Sequence, residues 1–445
     1  MTKEKVELKR KLVKKTGQNL PVKIIIGLAL LALILVGLYQ VPSIQNRAYY
    51  HLARARARLF YFFNPPAAVA FSPVEQGAMI SAAQSTLTAR VPTQTPTPTA
   101  QPTEMDTSTP TITATPTITP TRIPMAVQLK GVKLEAQGFN NCGPTNMAMI
   151  LSYWGWKGDQ HVTEKVLKPR KEDRNVMPYE MLDYVQTQTD LDGIVRYGGN
   201  IDLVKRLVAA GFPVVIERGY MDKHEGWMGH YGIITGYDDA KQQVSIPDSY
   251  IGEIKMSYAD IEMYWAHFDD IYLVVFPHER AQEVYDILGP QMDDTYNKQY
   301  ALDQVTNRLY TLEGRELFFA WYSRGSILVE MNDYYGASQS FDKAFEIYAT
   351  LKEEERPWRI TWYQTGPFFA YYYMGRYNDL YNLAKQTLDK TPEDAIPETW
   401  VWLGRAAVML GKHDEAVYDF RQALFWHPDW WVAKNELIAL GEPVD

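Results

Sequence analysis

From Ile24 to Val41 the chain reads IIIGLALLALILVGLYQV, with no charge and Gln40 as its one polar residue. Nothing else in the sequence restricts the fold so strongly. A helix that is apolar on every face must be buried in protein or lipid. This run lies at the short end of the roughly 17 to 25 residues that cross a bilayer. Lys23 can snorkel to the interface and let Leu20 to Val22 extend the span. The rivals are a buried core helix and a cleaved signal peptide. All-round apolarity counts against the first; the length of the run and the lack of a small-x-small site close behind it count against the second. No cysteine follows the run closely, so a lipoprotein is excluded. Lys3, Lys5, Lys9, Arg10, Lys11, Lys14, Lys15 and Lys23 precede it, against Glu4 and Glu7. That excess predicts a cytoplasmic N-terminus and everything after the span outside. Arg47, Arg54, Arg56 and Arg58 weaken the asymmetry without reversing it; they are expected on a helix against anionic headgroups, beside Tyr49, Tyr50, Phe60, Tyr61 and Phe62. This gives a basic cytoplasmic tail over 1–20, a single transmembrane helix over 21–42 and a juxtamembrane segment over 43–91.

Residues 92–124 are a Thr/Pro-rich tract, PTQTPTPTAQPTEMDTSTPTITATPTITPTRIP. Proline removes backbone donors and β-branched threonine opposes helix, so a disordered, extended and solvated stalk is expected. As polyproline II it would reach on the order of 100 Å. The expectation is a tether that holds the downstream domains near the membrane but free to sweep.

A globular segment is expected over 125–278. Its pattern is an early helix from Thr145 to Trp154, helices over Pro178–Gln186 and Asp202–Ala210 with Asn200 as N-cap, then strands FPVVIER, HYGIITGYD, QQVSI and DIYLVVF. Helix first and a mostly antiparallel sheet afterwards is an α+β pattern. Residues 279–445 read as all-α and repeat. Trp400, Leu403, Gly404, Ala416, Phe420, Ala423 and Pro428 stand at tetratricopeptide spacing. Trp321, Gly325, Ala337, Phe341 and Ala344 form an earlier copy, and Leu380, Ala384 and Pro392 a degenerate one between them. About three repeats is the minimum for a stable stack, so this region is expected to lean on the segment before it.

The net charge of −8 argues against a nucleic-acid surface. The single cysteine, Cys142, forms no internal disulfide, and no Cys/His cluster has zinc spacing. No metal or other cofactor is implied. Cys142 lies in FNNCGPTNMAMILSYWGW, where a turn feeds a helix. Backbone N–H groups and the helix dipole at such an end favour a thiolate, which is the nucleophilic form. The base is sought in GWMGHYGIITGYDDAKQQVSIPDSY. Folded as a hairpin centred near Asp239, it sets residues whose numbers add to about 478 opposite each other, which places Asp248 beside His230. A carboxylate on imidazole Nδ1 would fix the tautomer and stabilise the imidazolium. Gln137, five residues before the cysteine, can aim its amide at the point of attack and form an oxyanion hole with the Cys142 N–H. Such a donor is worth roughly 3 to 4 kcal/mol of barrier. Against this, a lone cysteine is commonly a buried small hydrophobe, and a lone histidine beside an apolar strand is commonly structural. His161, His224, His267 and His278 lack comparable context and read as surface or structural, with His224 the fallback base.

The stretches Gln137-x4-CGP, GHYGIITGYDD and PDSY, taken together, resemble the papain-like cysteine peptidases of the bacteriocin-processing, double-glycine-leader type, in their stand-alone form. The likeness covers about Val127 to Phe276. It implies a papain-like α+β domain over 125–278, with Cys142 as nucleophile, His230 as general base, Asp248 as orienter and Gln137 as oxyanion donor. Anchor, Thr/Pro stalk, papain-like domain and C-terminal tetratricopeptide helices together also resemble bacterial surface proteins described as papain-like family peptidases. The exporter-fused members act in the cytoplasm, whereas this chain has no nucleotide-binding motif and is expected to face outward, so leader-peptide cleavage is not implied. The expectation is a single-pass cell-membrane cysteine peptidase with an extracytoplasmic catalytic domain and a polypeptide substrate. Its repeats would bind substrate or a protein partner, or brace the catalytic domain. A catalytically silent binding module, or acyl transfer to an amine or deamidation by the same residues, stays open.

Overall fold

The structure is a computed structural model that describes residues 20–39, 41–66, 70–75, 123–222 and 225–444. The basic tail up to residue 19, nearly all of the expected stalk and His224 therefore lie outside the described residues. The chain divides into two compact units, Met1–Asn64 and Pro65–Asp445.

The first unit holds two helices, α1 (Leu20–Tyr39) and α2 (Pro42–Phe63). Pro42 starts α2 because its missing N–H costs nothing in a first turn. The expected arginines and aromatics lie on α2, which Asn64 ends by turning its N–H and side-chain amide onto Phe60 O. Helix α1 covers the expected span. Among the described residues no helix is long and apolar enough to cross a membrane.

In the second unit, two antiparallel four-stranded sheets follow the early helices. The elements up to residue 222 are β1 (Ala126–Gln128), α3 (Cys142–Tyr153), α4 (Gln160–Leu167), α5 (Pro178–Gln188), β2 (Leu191–Arg196), α6 (Ile201–Ala209) and β3 (Val214–Asp222). After them come β4 (Gly226–Ile234), β5 (Gly236–Asp238), β6 (Gln243–Asp248), β7 (Gly252–Ser257), α7 (Tyr258–Trp265) and β8 (Tyr272–Pro277). One sheet has the order β1-β5-β6-β7, the other β2-β8-β3-β4. Strand period two divides the core. Val214, Ile216, Ile234, Val274 and Phe276 pack with α6 and Ile246; Val215, Tyr231, Ile233, Leu273 and Val275 pack with α3 and α5. This is the expected α+β domain, with details that differ. Helix α3 starts three residues earlier than expected, at Cys142, because Pro144 falls in its first turn where proline is tolerated. Asn200 caps α6 as expected, accepting from Leu203 N at 2.9 Å. The run HYGIITGYD is not one strand: it switches sheets at Thr235, with β4 in one sheet and β5 in the other.

Helices fill the rest: α8 (Ala281–Leu288), α9 (Asp294–Arg308), α10 (Gly314–Glu330), α11 (Tyr334–Thr350), α12 (Ile360–Tyr363), α13 (Gly366–Tyr373), α14 (Tyr377–Asp389), α15 (Pro397–Met409), α16 (His413–Trp426) and α17 (Trp431–Ala439). The repeat glycines mark where paired helices touch. A Cβ on Gly325 would stand 2.7 Å from Phe341, and one on Gly404 would stand 2.6 Å from Phe420. The helices lean on the sheet domain, as three repeats require. Asn297 of α9 bonds both the N–H and the carbonyl of Tyr197, at 3.0 and 2.8 Å. Arg308 pairs with Asp270 at 2.7 Å, and Ser323 of α10 donates to Ala266 O at 3.1 Å. His267, read as structural, is buried in this contact between Glu316 and the face of Phe319.

Gly404→Ala should lower stability by about 1–3 kcal/mol through overpacking against Phe420, read as a drop in thermal midpoint. Adding Phe420→Leu should recover part of the loss.

Candidate active site

Cys142 is the first residue of α3, and the carbonyl before it, Asn141 O, accepts the helix-opening bond from Thr145 N at 3.0 Å. The Cys142 N–H, antiparallel to that carbonyl in the same peptide plane, therefore points out of the helix end. The loop leading in is held from both sides. Buried Lys168 turns its ammonium onto Asn140 O at 2.8 Å and Phe139 O at 3.3 Å. Gln160 Oε1 takes Gly138 N, Asn141 Nδ2 and Thr145 Oγ1 at 2.7, 2.9 and 3.1 Å, while its Nε2 donates to Glu135 and Ala136 O. Asn140 adopts a left-handed φ of 52° in this turn. Gly143 is required by a close approach, since a Cβ there would stand 2.9 Å from Val176.

His230 lies on edge strand β4 directly opposite Arg218 of β3. It shares strand parity with Ile234, and Arg218 with Ile216, so both side chains face the second sheet. Asp248, the last residue of β6, meets them there. His230 Nε2 is 3.0 Å from Asp248 Oδ1, and Arg218 donates to Oδ2 at 2.7 Å. The amides of Tyr250 and Ile251 add bonds to Oδ1 at 2.8 and 3.1 Å. The other ring nitrogen, Nδ1, is left free of Asp248, and the imidazole and the Cys142 thiol act on each other electrostatically.

These contacts set the electrostatics. Burial alone would raise the Cys142 pKa, but the hydrogen bond and charge of His230, the Tyr231 N–H and the Lys168 ammonium bring it below its ordinary value. Burial would lower His230, but Asp248 and the thiol raise it above the usual imidazole value. Burial would raise Asp248, but His230, Arg218 and the Tyr250 amide hold it down at about 2. Both shifts run toward the thiolate and the imidazolium. Lys168, lowered to about 8 by burial against the pull of Asp173 and Glu164, still carries its charge at neutral pH.

Gln137 is tied to the turn after Asp248. Its N–H bonds Ser249 O at 2.8 Å, and its amide oxygen accepts Ser249 Oγ at 2.7 Å. That orients Nε2 as the amide's remaining donor. Asn146 Nδ2, one helical turn past the cysteine, lies 2.9 Å from Cys142 O, 3.1 Å from Ser249 Oγ and 3.2 Å from Tyr231 O. Gln137, Ser249 and Asn146 thus join the three segments that carry the site.

The structure therefore brings His230 and Asp248 into one hydrogen-bonded pair beside Cys142 and sets Gln137 against the same turn. It differs from the sequence reading in two details. Asp248 meets Nε2, not Nδ1. The β5–β6 ladder pairs Tyr237 with Val244 and Gly236 with Ser245, so it is out of the expected register, and His230 and Asp248 are not ladder partners. They meet because the ribbon bends between sheets at Thr235 and brings the end of β6 across β4. Sequence reasoning does not reach Arg218, Gln160, Lys168, Asn146 or Ser249. The one available signal is Glu217-Arg218, two charges closing an otherwise apolar strand. The helical region also touches the strand that carries His230. Arg359 bonds Glu225 O and Trp227 O at 2.5 and 3.2 Å, and the Tyr363 ring packs so close to Gly229, next to His230, that a Cβ there would stand 3.0 Å from it. Among the described residues there is no cluster of side chains that could hold a metal ion.

Residues 121–274 match the Peptidase_C39 like family. Residues 320–350 match the tetratricopeptide repeat. The resemblance read in the sequence is borne out over these segments. Similar solved structures include a C39-like peptidase candidate from Bacillus anthracis, at 18% identity over 34% of this chain and 98% of that chain with a TM-score of 0.29. A double glycine motif protease from an AMS/PCAT transporter in complex with the leader peptide has 16% identity over 34% of this chain and 94% of that chain, TM-score 0.27. Xylellain, a cysteine protease from Xylella fastidiosa, has 14% identity over 35% of this chain and 87% of that chain, TM-score 0.27. Likenesses at this level carry no argument about the reaction. No curated protein matches the chain.

The lowered thiol pKa sets a test. Cys142 should be alkylated by iodoacetamide at about pH 6 faster than an unstructured thiol, whose pKa is near 8.5. Asp248→Asn should lower the His230 pKa, raise that of Cys142 and slow this reaction roughly tenfold, as a shift of about one unit requires. An unchanged rate would remove Asp248 from the electrostatics of the thiol.

Proposed function

We propose that this chain is a membrane-anchored, outward-facing cysteine peptidase. The supporting observation is the thiol–imidazole–carboxylate chain with its sulfur at a helix N-terminus. The Cys142 thiolate attacks a peptide carbonyl carbon, forming a C–S bond as the carbonyl electrons move onto oxygen. The Cys142 N–H and Gln137 Nε2 receive that oxyanion. On collapse the C–N bond breaks and the leaving amine takes the proton of the His230 imidazolium. Water then gives a proton to His230 and attacks the thioester, which releases the acid and restores the thiolate. Asp248, with Arg218 behind it, holds His230 in register throughout.

The helical repeats act first as a brace. Arg359 at Glu225 and Trp227 and Tyr363 at Gly229 hold the start of β4, which fixes the strand that carries His230. A protein partner at the remaining repeat surface is compatible with this role. The anchor rests on the apolar run and the basic excess before it, which also give the outward orientation.

Full-length protein incubated with a peptide library should release new termini, and Cys142→Ala and His230→Ala should each abolish release. A Cys142→Ala protein with undiminished activity would return the domain to a binding module. Added amines that appear in the products would identify acyl transfer. The pH profile of kcat/KM should be bell-shaped. Its acid limb follows Cys142, lowered from the ordinary thiol value, and its alkaline limb follows His230, raised above the ordinary imidazole value, because the pair is active only between the two.

A further inference from the structure

Residues 70–75, AFSPVE, do not hang free between α2 and the Thr/Pro tract; they dock on the helical repeats. Phe71 is 7% exposed, with its ring 4.9 Å from Phe345 of α11 and 6.2 Å from Tyr371 of α13. Two consecutive amides, Val74 N and Glu75 N, donate to the two oxygens of the buried Asp379 carboxylate, at 2.7 and 3.1 Å. Glu75 returns the contact, accepting from Asn378 Nδ2 at 2.8 Å and Asp379 N at 3.2 Å. The N-cap position of α14, Arg376, supplies no side-chain cap of its own. The Glu75 carboxylate takes that role, satisfying a first-turn N–H and sitting at the positive end of the helix dipole. Arg376 backs the site, holding Asp379 and Asp342 with its guanidinium over the Tyr371 ring.

We propose that the face formed by α11, α13 and the start of α14 is a binding site for an extended peptide with an aromatic residue followed, four residues on, by a carboxylate. Its resident ligand is the chain's own Phe71–Glu75. Specificity comes from an aromatic pocket at one end and a helix-capping carboxylate at the other, with Asp379 reading the backbone between. The site makes the chain a latch. Both ends of residues 76–122, which hold most of the Thr/Pro tract, are then attached to one body, so the tract does not separate the catalytic domain from α2. Only residues 64–69 join the docked segment to α2. Release would lengthen the tether from residues 64–69 to residues 64–122, a contour on the order of 200 Å. This consequence for reach rests on the anchored reading proposed above; the binding site does not.

The test uses the full chain with Phe71→Asp and Glu75→Lys, which empties the site. A fluorescent synthetic peptide of residues 68–78 should bind this variant saturably and raise its thermal midpoint. Binding to the wild type should be at least tenfold weaker, because the site is filled, and a peptide carrying Phe71→Ala should bind neither. Absence of binding to the variant, or equal binding to both proteins, would overturn the site. In a second arm, Cys142→Ala and Glu253→Cys are combined so that one dye labels the catalytic domain of protein inserted in phosphatidylcholine vesicles containing an acceptor lipid. Energy transfer should fall when the latch is emptied. Unchanged transfer would overturn the latch, whereas failure of the wild type to enter vesicles would overturn the anchor and leave the peptide result standing.

Discussion

The Asp248 carboxylate is the point on which the site depends. It lies at the end of β6 in one sheet and receives His230 and Arg218 from adjacent strands of the other, with two amides of its own turn closing the shell. A carboxylate this buried is stable as an anion only when donors replace the water it lost. Here they do, and the anion in turn raises the imidazole pKa. Arg218 also offsets the negative charge that would otherwise build up when the thiol ionises beside the pair. The sheet packing and the charge state of the sulfur are therefore parts of one electrostatic arrangement.

The helical repeats enter this arrangement through strand β4. An edge strand has unpaired backbone groups on one side. Arg359 takes the carbonyls of Glu225 and Trp227 there, and the Tyr363 ring packs against Gly229. His230 thus stands on a strand paired by β3 on one side and covered by another part of the chain on the other. Arg174, whose guanidinium lies over the Phe139 and Trp362 rings and pairs with Glu393, links the loop beside the cysteine to the same helices. Bracing of this kind limits how far sulfur and imidazole can drift apart, which the reaction needs to sub-ångström tolerance.

Much of the plan is legible in the sequence because it is written in local patterns. The tetratricopeptide spacing of Gly404 and Phe420 is visible because one packing contact needs a missing Cβ at a fixed distance from an aromatic ring. Cys142 before a Gly-Pro pair reads as a helix start because proline fits only the first turn. A hairpin drawn in the wrong register still pairs His230 with Asp248, because a turn brings the ends of its arms together whatever the exact pairing. Arg218 escapes a sequence reading because a charge at the end of an apolar strand looks like the strand leaving the core. Gln160 and Lys168 escape it because their partners are backbone carbonyls and amides of a distant loop, which leave no mark on residue type.

The sequence by itself determined which groups were available: one thiol, a histidine on an apolar strand, a following aspartate, a repeat of small and aromatic residues, and an apolar run behind a basic tail. These are properties of neighbours within a turn or a strand, where geometry follows from residue identity. Only the tertiary structure decided which imidazole nitrogen faces the carboxylate, which arginine balances it, and that residues 70–75 close back onto the repeats. Those outcomes depend on the bend at Thr235 and on contacts between segments up to some 300 residues apart. Such contacts are set by how whole surfaces pack, and no local pattern encodes them.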